Sequence, residues 1–412
     1  MNFLPALVLI AQASGATYTE SQVVELAIQN SPLLASRGYQ VEESEALVDV
    51  ARRWENPELR LTGMRYGQLV DPAVDRRTYP DHPFGNMSIG LRWSPPELGQ
   101  RGTRIAEARV FEATAGAGKT QSRRDVLAMV RSLHATILNL DTRIELAKTT
   151  VDQRFQMRDL IERRLKQNAA TLIEKSVADM DYLDAQTVLS ELTQDRNRSF
   201  HSLLAALGLP ADYGAVFVSD GKDACQPVGD VEPLAKQAES TNPRSQVVDA
   251  EIKQAEAERS RKWLALVPWP SYIQGQYELA TDKSPGFLSF SLGVPLPVLD
   301  WKSADRRASK AKGRMLVEEL RAENRALADS VRKTAADQKA QAAMFSLYQE
   351  SSAVVEQGLA AVRKSIESGE STNLYQALQL QSRLLSARKA ALKAELECKL
   401  NRIEIDRLTG AK

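Results

Sequence analysis

Residues 113–120 read Ala-Thr-Ala-Gly-Ala-Gly-Lys-Thr. With Ala accepted in the first position, this fits G-x-x-x-x-G-K-[ST], the loop whose backbone amides cradle nucleotide phosphates. Read as that loop, the chain is a nucleotide-binding α/β protein. Read as helix, it has a different fold altogether. A phosphate loop needs a buried strand before it and a helix N-terminus after it. Here Arg104-Ile-Ala-Glu-Ala-Arg-Val-Phe-Glu112 precedes the stretch, and polar sequence leading into a heptad pattern follows it. Both flanks are helical in character. The acidic stretch Ile137-Leu-Asn-Leu-Asp141 resembles a Mg²⁺-holding strand, but on one continuous helix Lys119 and Asp141 stand ~33 Å apart at 1.5 Å per residue. They cannot share a nucleotide. Gly116 and Gly118 then become helix positions costing roughly 1 kcal/mol each, accepted for close packing or a bend.

The distribution of proline extends this reading. None occurs from Glu97 to Leu209, nor from Val298 to Lys412, and helix interiors exclude proline because it lacks the N–H and clashes with the preceding turn. Two long helical blocks follow. In the first, Val126, Val130, Leu133, Ile137, Leu140, Ile144, Ala147 and Val151 step alternately by four and three, a heptad seam. In the second, Tyr348, Ser352, Val355, Leu359, Val362 and Ile366 keep the same rhythm. Such seams mean long helices packed side by side.

Composition limits the function classes. The 412 residues, 43% hydrophobic and 26% charged, are enough for two ordinary domains with cores. Lys plus Arg (54) balances Asp plus Glu (53), so no nucleic acid or anionic surface is expected from the overall charge. Cys225 and Cys398 lie far apart without C-x-x-C or Cys/His spacing, and there are three histidines; neither a structural disulfide nor a metal site is expected. No run of 18 apolar residues suggests a spanning helix. Residues 1–16 pair a short apolar region, Phe3 to Ile10, with small residues, as a cleavable signal peptide does.

Short alternating stretches lie outside the helical blocks. Met87, Ile89, Leu91 and Trp93 alternate with Ser88, Gly90 and Arg92; Leu288, Phe290, Leu292 and Val294 alternate with Ser289, Ser291 and Gly293. Upstream companions at Glu58 to Tyr66 and Ser271 to Leu279 make two β-hairpins. Apolar-out strands of this length suit a membrane barrel, or edge hairpins packed on a soluble helical core. The tryptophans favour the barrel. Trp54, Trp93, Trp263, Trp269 and Trp301 all sit at or just beyond strand ends that face the helical blocks, as an interfacial girdle would. Four strands cannot close a barrel, since about eight are needed. Several chains must contribute.

An internal duplication orders these pieces. Pro32 and Pro57 recur as Pro243 and Pro268 at an offset of 211, and Gly85, Pro96, Asn168 and Gly208 recur as Gly286, Pro297, Gly369 and Gly410 at 201 to 202. Each repeat reads helix, hairpin, long helix, turn, long helix. The stretch from Glu97 to Arg164 alone corresponds to ~100 Å of helix.

At this level the chain resembles the TolC-like outer-membrane efflux channels over essentially its whole mature length. The resemblance is carried by Ala27-Ile-Gln-Asn-Ser-Pro32, Ala51-Arg-Arg-Trp-Glu-Asn-Pro57-Glu-Leu59 and Pro96-Glu-Leu-Gly-Gln-Arg101. In the second half it is carried by Val294-Pro-Leu-Pro-Val-Leu-Asp300 and Arg407-Leu-Thr-Gly410. Asn-Pro-Glu-Leu and Pro-Glu-Leu-Gly-Gln-Arg look most like the heavy-metal-efflux branch. The resemblance implies a mainly α protein with a small β part: a homotrimer in which four strands per chain build a transmembrane β-barrel and the long helices build an α-helical barrel across the periplasm. The implied organisation is a signal peptide (1–16), a first repeat (17–210; hairpin 58–93, helical hairpin 97–209), an equatorial linker (211–240) and a second repeat (241–412; hairpin 271–294, helical hairpin 298–410).

Site residues follow from the same resemblance. Met87, Ile89, Leu91, Leu288, Phe290 and Leu292 would face lipid, with Trp54, Trp93, Trp269 and Trp301 at the interface. The helix turns at Asn168, Ala169 and Thr171 and at Gly369, Glu370 and Ser371 would meet a periplasmic adaptor and an inner-membrane transporter. Family members often carry acids just after the second turn, but Ser371 to Ala394 contains none. Gln376 and Gln379 stand there, and the acids Glu174, Asp179, Asp181 and Asp184 follow the first turn instead. These six are the candidate periplasmic aperture. No catalytic residue, cofactor, nucleotide or nucleic acid is expected. The reading is a passive export conduit from periplasm to exterior; the alternative is a soluble periplasmic coiled-coil structural or adaptor protein.

Overall fold

Residues 16–63, 87–168, 170–219, 225–279, 285–296, 302–367 and 374–411 are described by the structure, a computed structural model. In chain order the elements are β1 (Ala16–Tyr18), α1 (Glu20–Asn30), α2 (Pro32–Arg52), β2 (Glu58–Gly63), β3 (Met87–Trp93), α3 (Gln100–Lys166) and α4 (Leu172–Ala206). There follow β4 (Ala215–Phe217), α5 (Glu232–Ser240), α6 (Pro243–Leu264), β5 (Tyr272–Glu278), β6 (Phe287–Gly293), α7 (Ser303–Glu367) and α8 (Leu374–Thr409). The proline-free runs are the four long helices. Residues 113–120 lie inside α3, as their flanks predict. The leader expected over 1–16 falls, save Ala16, outside the described residues.

Two compact units draw on both halves of the chain. One combines the stretch ending at Arg37 with Lys119–Asn242 and the chain from Glu323 onward. Its core is the α3 seam: Val126, Val130 and Ile137 are buried with Val23 and Ala27 of α1, Leu203 of α4, Leu207 and Phe217 of β4. Lower on the same seam Leu140 and Ala147 pack on Leu192. The seam of α7 is shallower, with Tyr348, Ser352 and Val355 half-buried. Arg131 ties the unit's ends together, donating to Glu20 at 2.5 Å and to Asp406 at 3.0 Å. Gly208 and Gly410, which close α4 and α8, share φ 67°. An L side chain is disfavoured there, and a Cβ on Gly208 would stand 2.9 Å from the Asn30 carbonyl oxygen.

Three features, two in this unit and one on the stretch of α3 that belongs to the other, depart from expectation. Cys225 and Cys398 form a disulfide with Cα atoms 5.8 Å apart, across 173 residues of sequence. Motif spacing reports only local ligand sets, whereas this bond is made by a segment that returns to α8 through tertiary packing. The same segment is strapped to α7, where buried Gln338 accepts from the Val228 amide at 3.1 Å and donates to the Gln226 carbonyl at 3.2 Å. Second, β1 pairs in parallel with β4, a pairing between strands too short to show a period. Third, Gly116 and Gly118 are not close-packing positions within the chain. A Cβ on either would meet nothing within 4 Å.

The other unit, Gly38–Gly118 with Pro243–Ala322, carries a four-stranded antiparallel sheet in the order β2-β3-β5-β6. The two hairpins expected from alternation are present, and β3 joins β5 to make them one sheet. Gly90 is required by the join, since a Cβ there would lie 2.7 Å from the Gln276 Cβ. At the helix ends next to the sheet, Arg101 donates twice to the Arg52 carbonyl, at 3.1 and 2.8 Å. Arg261 holds Glu97 at 2.8 Å.

Candidate functional site

Side-chain alternation and cross-strand register together sort the sheet into two opposite faces. Leu59, Leu91, Gly275 and Phe290 stand in one row across all four strands; Leu61, Ile89, Tyr277 and Leu288 make the next, and Trp93, Ile273 and Leu292 a third. Met87 lies opposite Gly63 on the same face. Met87, Ile89, Leu91, Leu288, Phe290 and Leu292 are all exposed, Phe290 by 77%. The opposite face is polar: Arg60, Gly90, Gln276 and Ser289 form one row, Glu58, Arg92, Gln274 and Ser291 another. Leu59, Leu61, Ile273 and Tyr277 belong to the apolar face although sequence reasoning did not single them out. Gly275 interrupts the alternation that would have marked β5.

Aromatic rings gather where the strands meet the helices. Trp54 and Trp93 lie 6.2 Å apart, the Trp93 indole donates to the Glu55 carbonyl at 3.2 Å, and the Arg101 guanidinium sits 5.2 Å over the Trp54 ring. Trp263 and Trp269 are exposed. Trp301 lies outside the described residues.

In the other unit the turn between α3 and α4 places the acids. Asn168 takes the left-handed conformation, φ 57°, and Thr171 caps α4. The Glu174 amide donates to the Thr171 hydroxyl at 3.2 Å, and the Glu174 carboxylate accepts from the Thr171 amide at 2.6 Å. That backbone hydrogen bond holds the Glu174 carboxyl below its usual range, so Glu174 serves the helix start. Asp179 accepts from Arg158 at 2.7 Å and Asp181 from Arg154 at 3.0 Å. Asp184 is exposed and has no ion pair among the described residues. With Lys389 of α8 it lines a cleft of about 230 Å³. Arg154 and Arg158 stand one helical turn apart on α3, but only the reversal of the chain at the turn brings them to these acids. The side chains of Gln376 and Gln379 on α8, and all of Ala169, Gly369, Glu370 and Ser371, lie outside the described residues.

Residues 113–120 are part of one continuous helix, without the strand-to-helix turn that a phosphate loop needs. Asp141 accepts from Arg196 at 3.0 Å, which occupies the acid a Mg²⁺ ion would need. Lys119→Ala is therefore expected to change nothing in calorimetric titration with ATP, because no heat of specific binding is expected from either protein. Micromolar binding lost in that variant would restore the phosphate-loop reading. Among the described residues no three His, Cys, Asp or Glu side chains converge where a metal could sit, and no helix is long and apolar enough to cross a membrane.

Comparison with known proteins identifies relatives. The profile of the outer membrane efflux protein family matches residues 23–209 and 234–411. No curated protein sequence matches. Among solved structures, the chain is similar to the outer membrane protein VceC from Vibrio cholerae, at 13% identity with 95% of this chain and 96% of that one covered and a TM-score of 0.72. It is similar to a membrane protein from Pseudomonas aeruginosa, at 16% identity with 95% and 92% covered and a TM-score of 0.76. It is also similar to the open state of the MtrE outer membrane channel of Neisseria gonorrhoeae, at 15% identity with 95% and 88% covered and a TM-score of 0.72. At such identities the likeness is one of fold.

Proposed function

The chain belongs to the outer membrane efflux protein family, and from that premise we propose that three copies assemble, each lending four strands to a closed barrel in the outer membrane and four long helices to a tunnel through the periplasm. The protein is an outer-membrane efflux channel, a conduit and not an enzyme. Its two internal repeats supply the matching halves of each protomer. The turns at Asn168 to Thr171 and Gly369 to Ser371 meet an adaptor and an inner-membrane pump. Exposed Leu172, Ile173, Val177 and Met180 give the first of these turns an apolar surface for that contact. Cargo is taken from the docked pump, a metal cation if the Asn-Pro-Glu-Leu and Pro-Glu-Leu-Gly-Gln-Arg stretches follow the heavy-metal branch.

One observation carries this reading. The sheet presents a continuous exposed apolar face opposite a polar one, and its outer strands, β2 and β6, each have an edge unpaired among the described residues. In water such a face and such edges invite aggregation. In a bilayer the face meets lipid and neighbouring copies satisfy the edges. Membrane fractionation with native mass measurement tests it: a trimer that needs detergent is expected, and a freely soluble monomer would revive the soluble coiled-coil alternative.

The aperture acids add a second expected result. With Asp179 and Asp181 paired to arginines, Asp184 supplies the field at the narrow end, attracting cations and weakening with ionic strength. In planar bilayers under a salt gradient, Asp184→Asn should shift the reversal potential toward weaker cation preference. An unchanged potential places Asp184 on the outer, solvated face.

A further inference from the structure

Charge balances over the whole chain, 54 Lys and Arg against 53 Asp and Glu. At the helix ends adjoining the sheet it does not. Residues 51–57, 94–106, 259–270 and 302–312 hold twelve Lys and Arg against three acids, Glu55, Glu97 and Asp305. Each of those acids is already paired, with Arg104 at 2.8 Å, Arg261 at 2.8 Å and Lys262 at 3.4 Å. The helix dipole accounts for bases at the C-terminal ends of α2 and α6. It opposes those at the beginnings of α3 and α7, where Arg101, Arg104, Arg306 and Arg307 stand in or near the first turn. Helix stability does not explain them.

A groove of about 330 Å³ between α6 and α7 takes in two of these bases, Arg259 and Lys310, with Arg314 further along α7. Its lining includes the apolar Ile252, Ala255 and Val317, and Gly313 leaves it open, because a Cβ there would meet nothing within 4 Å. Arg259, Lys310 and Arg314 line it as well, exposed and without an ion pair among the described residues. Further along both helices, away from the strands, the charges turn mixed: Glu256, then Glu318 held by Arg321 at 2.6 Å. The cationic end is the one nearer the sheet.

We propose that this groove and the basic collar around it bind the anionic headgroups of phospholipids in the periplasmic leaflet, with the headgroup phosphate on Arg259, Lys310 and Arg314. Position selects lipid over a soluble anion. The windows of the collar flank the strand ends within one unit and contain Trp54 and Trp269, with Arg101 5.2 Å over the Trp54 ring and Trp93 6.2 Å from Trp54. Tryptophan marks headgroup level, and clustered bases at that level recognise anionic lipid. The proposal rests on the outer-membrane reading, which puts a leaflet there.

The test uses the full chain reconstituted into phosphatidylcholine vesicles, with and without phosphatidylglycerol, and counts retained lipids by native mass spectrometry. Wild type should retain phosphatidylglycerol over phosphatidylcholine by at least about tenfold, less at high salt. The triple variant Arg259→Ala, Lys310→Ala, Arg314→Ala should approach equal retention. Arg259→Lys with Arg314→Lys, which keeps the charge, should retain the preference. A preference unchanged in the triple variant, absent from wild type, or abolished by an equal concentration of inorganic phosphate would overturn the proposal. Insertion without headgroup preference counts against this proposal alone; failure to insert in any bilayer removes the outer-membrane reading with it.

Discussion

Cys225→Ser is expected to destabilise the folded chain by about 5 kcal/mol, because the bond closes a loop of 173 residues whose ends the unfolded chain would otherwise leave free. No other single covalent link in the molecule acts over such a distance. Besides the bond, the segment is anchored by the Gln338 hydrogen bonds to residues 226 and 228 and, from residue 232 on, by Arg332 donating to Glu232 at 2.9 and 3.1 Å, the packing of Ala235 and Ala238 on Ala328 and Val331, and the Thr241 hydroxyl on the Thr409 carbonyl at 2.9 Å. Losing the bond should therefore loosen the segment around 225–231 before the helices part. The measurement is thermal unfolding of wild type, Cys225→Ser and Cys398→Ser with and without reductant. Reductant should lower the wild-type midpoint to that of the variants and leave the variants unmoved. A wild type indifferent to reductant would show that the bond does not contribute. The bond also suits an oxidising compartment such as the periplasm.

Charge on the apolar face of the sheet should have the next largest effect. Leu91 is 55% exposed and sits between Leu59 and Gly275; Phe290 is 77% exposed opposite Gly275. If that face meets lipid, Leu91→Arg or Phe290→Arg places a guanidinium near mid-membrane at a cost of about 2–4 kcal/mol per chain. Ser88→Arg and Ser289→Arg point the same charge to the polar face, beside residues such as Arg60, Gln276 and Glu278, and should be milder. The yield of assembled trimer in outer-membrane fractions separates the two sets. Equal losses from both faces would argue against a lipid-facing sheet.

Much of this architecture was legible before any coordinate. Missing proline over two long runs and the four-three stepping of Val126 to Val151 are properties of single helices, so the chain displays them locally. The same holds for Met87 to Trp93, where a period of two separates an apolar face from a polar one. Even the misleading Ala-Thr-Ala-Gly-Ala-Gly-Lys-Thr was resolved by its neighbours, since a phosphate loop is defined by the strand and helix it joins.

What the sequence left open depended on distant segments meeting. Cys225 finds Cys398, β1 finds β4, and Arg154 and Arg158 face Asp181 and Asp179 only once the chain has reversed direction. No local period encodes those reversals. The overall charge balance likewise concealed a basic collar, because its residues come from four windows that adjoin one another only at the helix ends around the sheet. Local pattern determined which elements form and which of their faces are apolar, since that information repeats within a few residues. Tertiary structure alone decided which charges and which cysteines are partners, because those contacts are set by how completed elements pack.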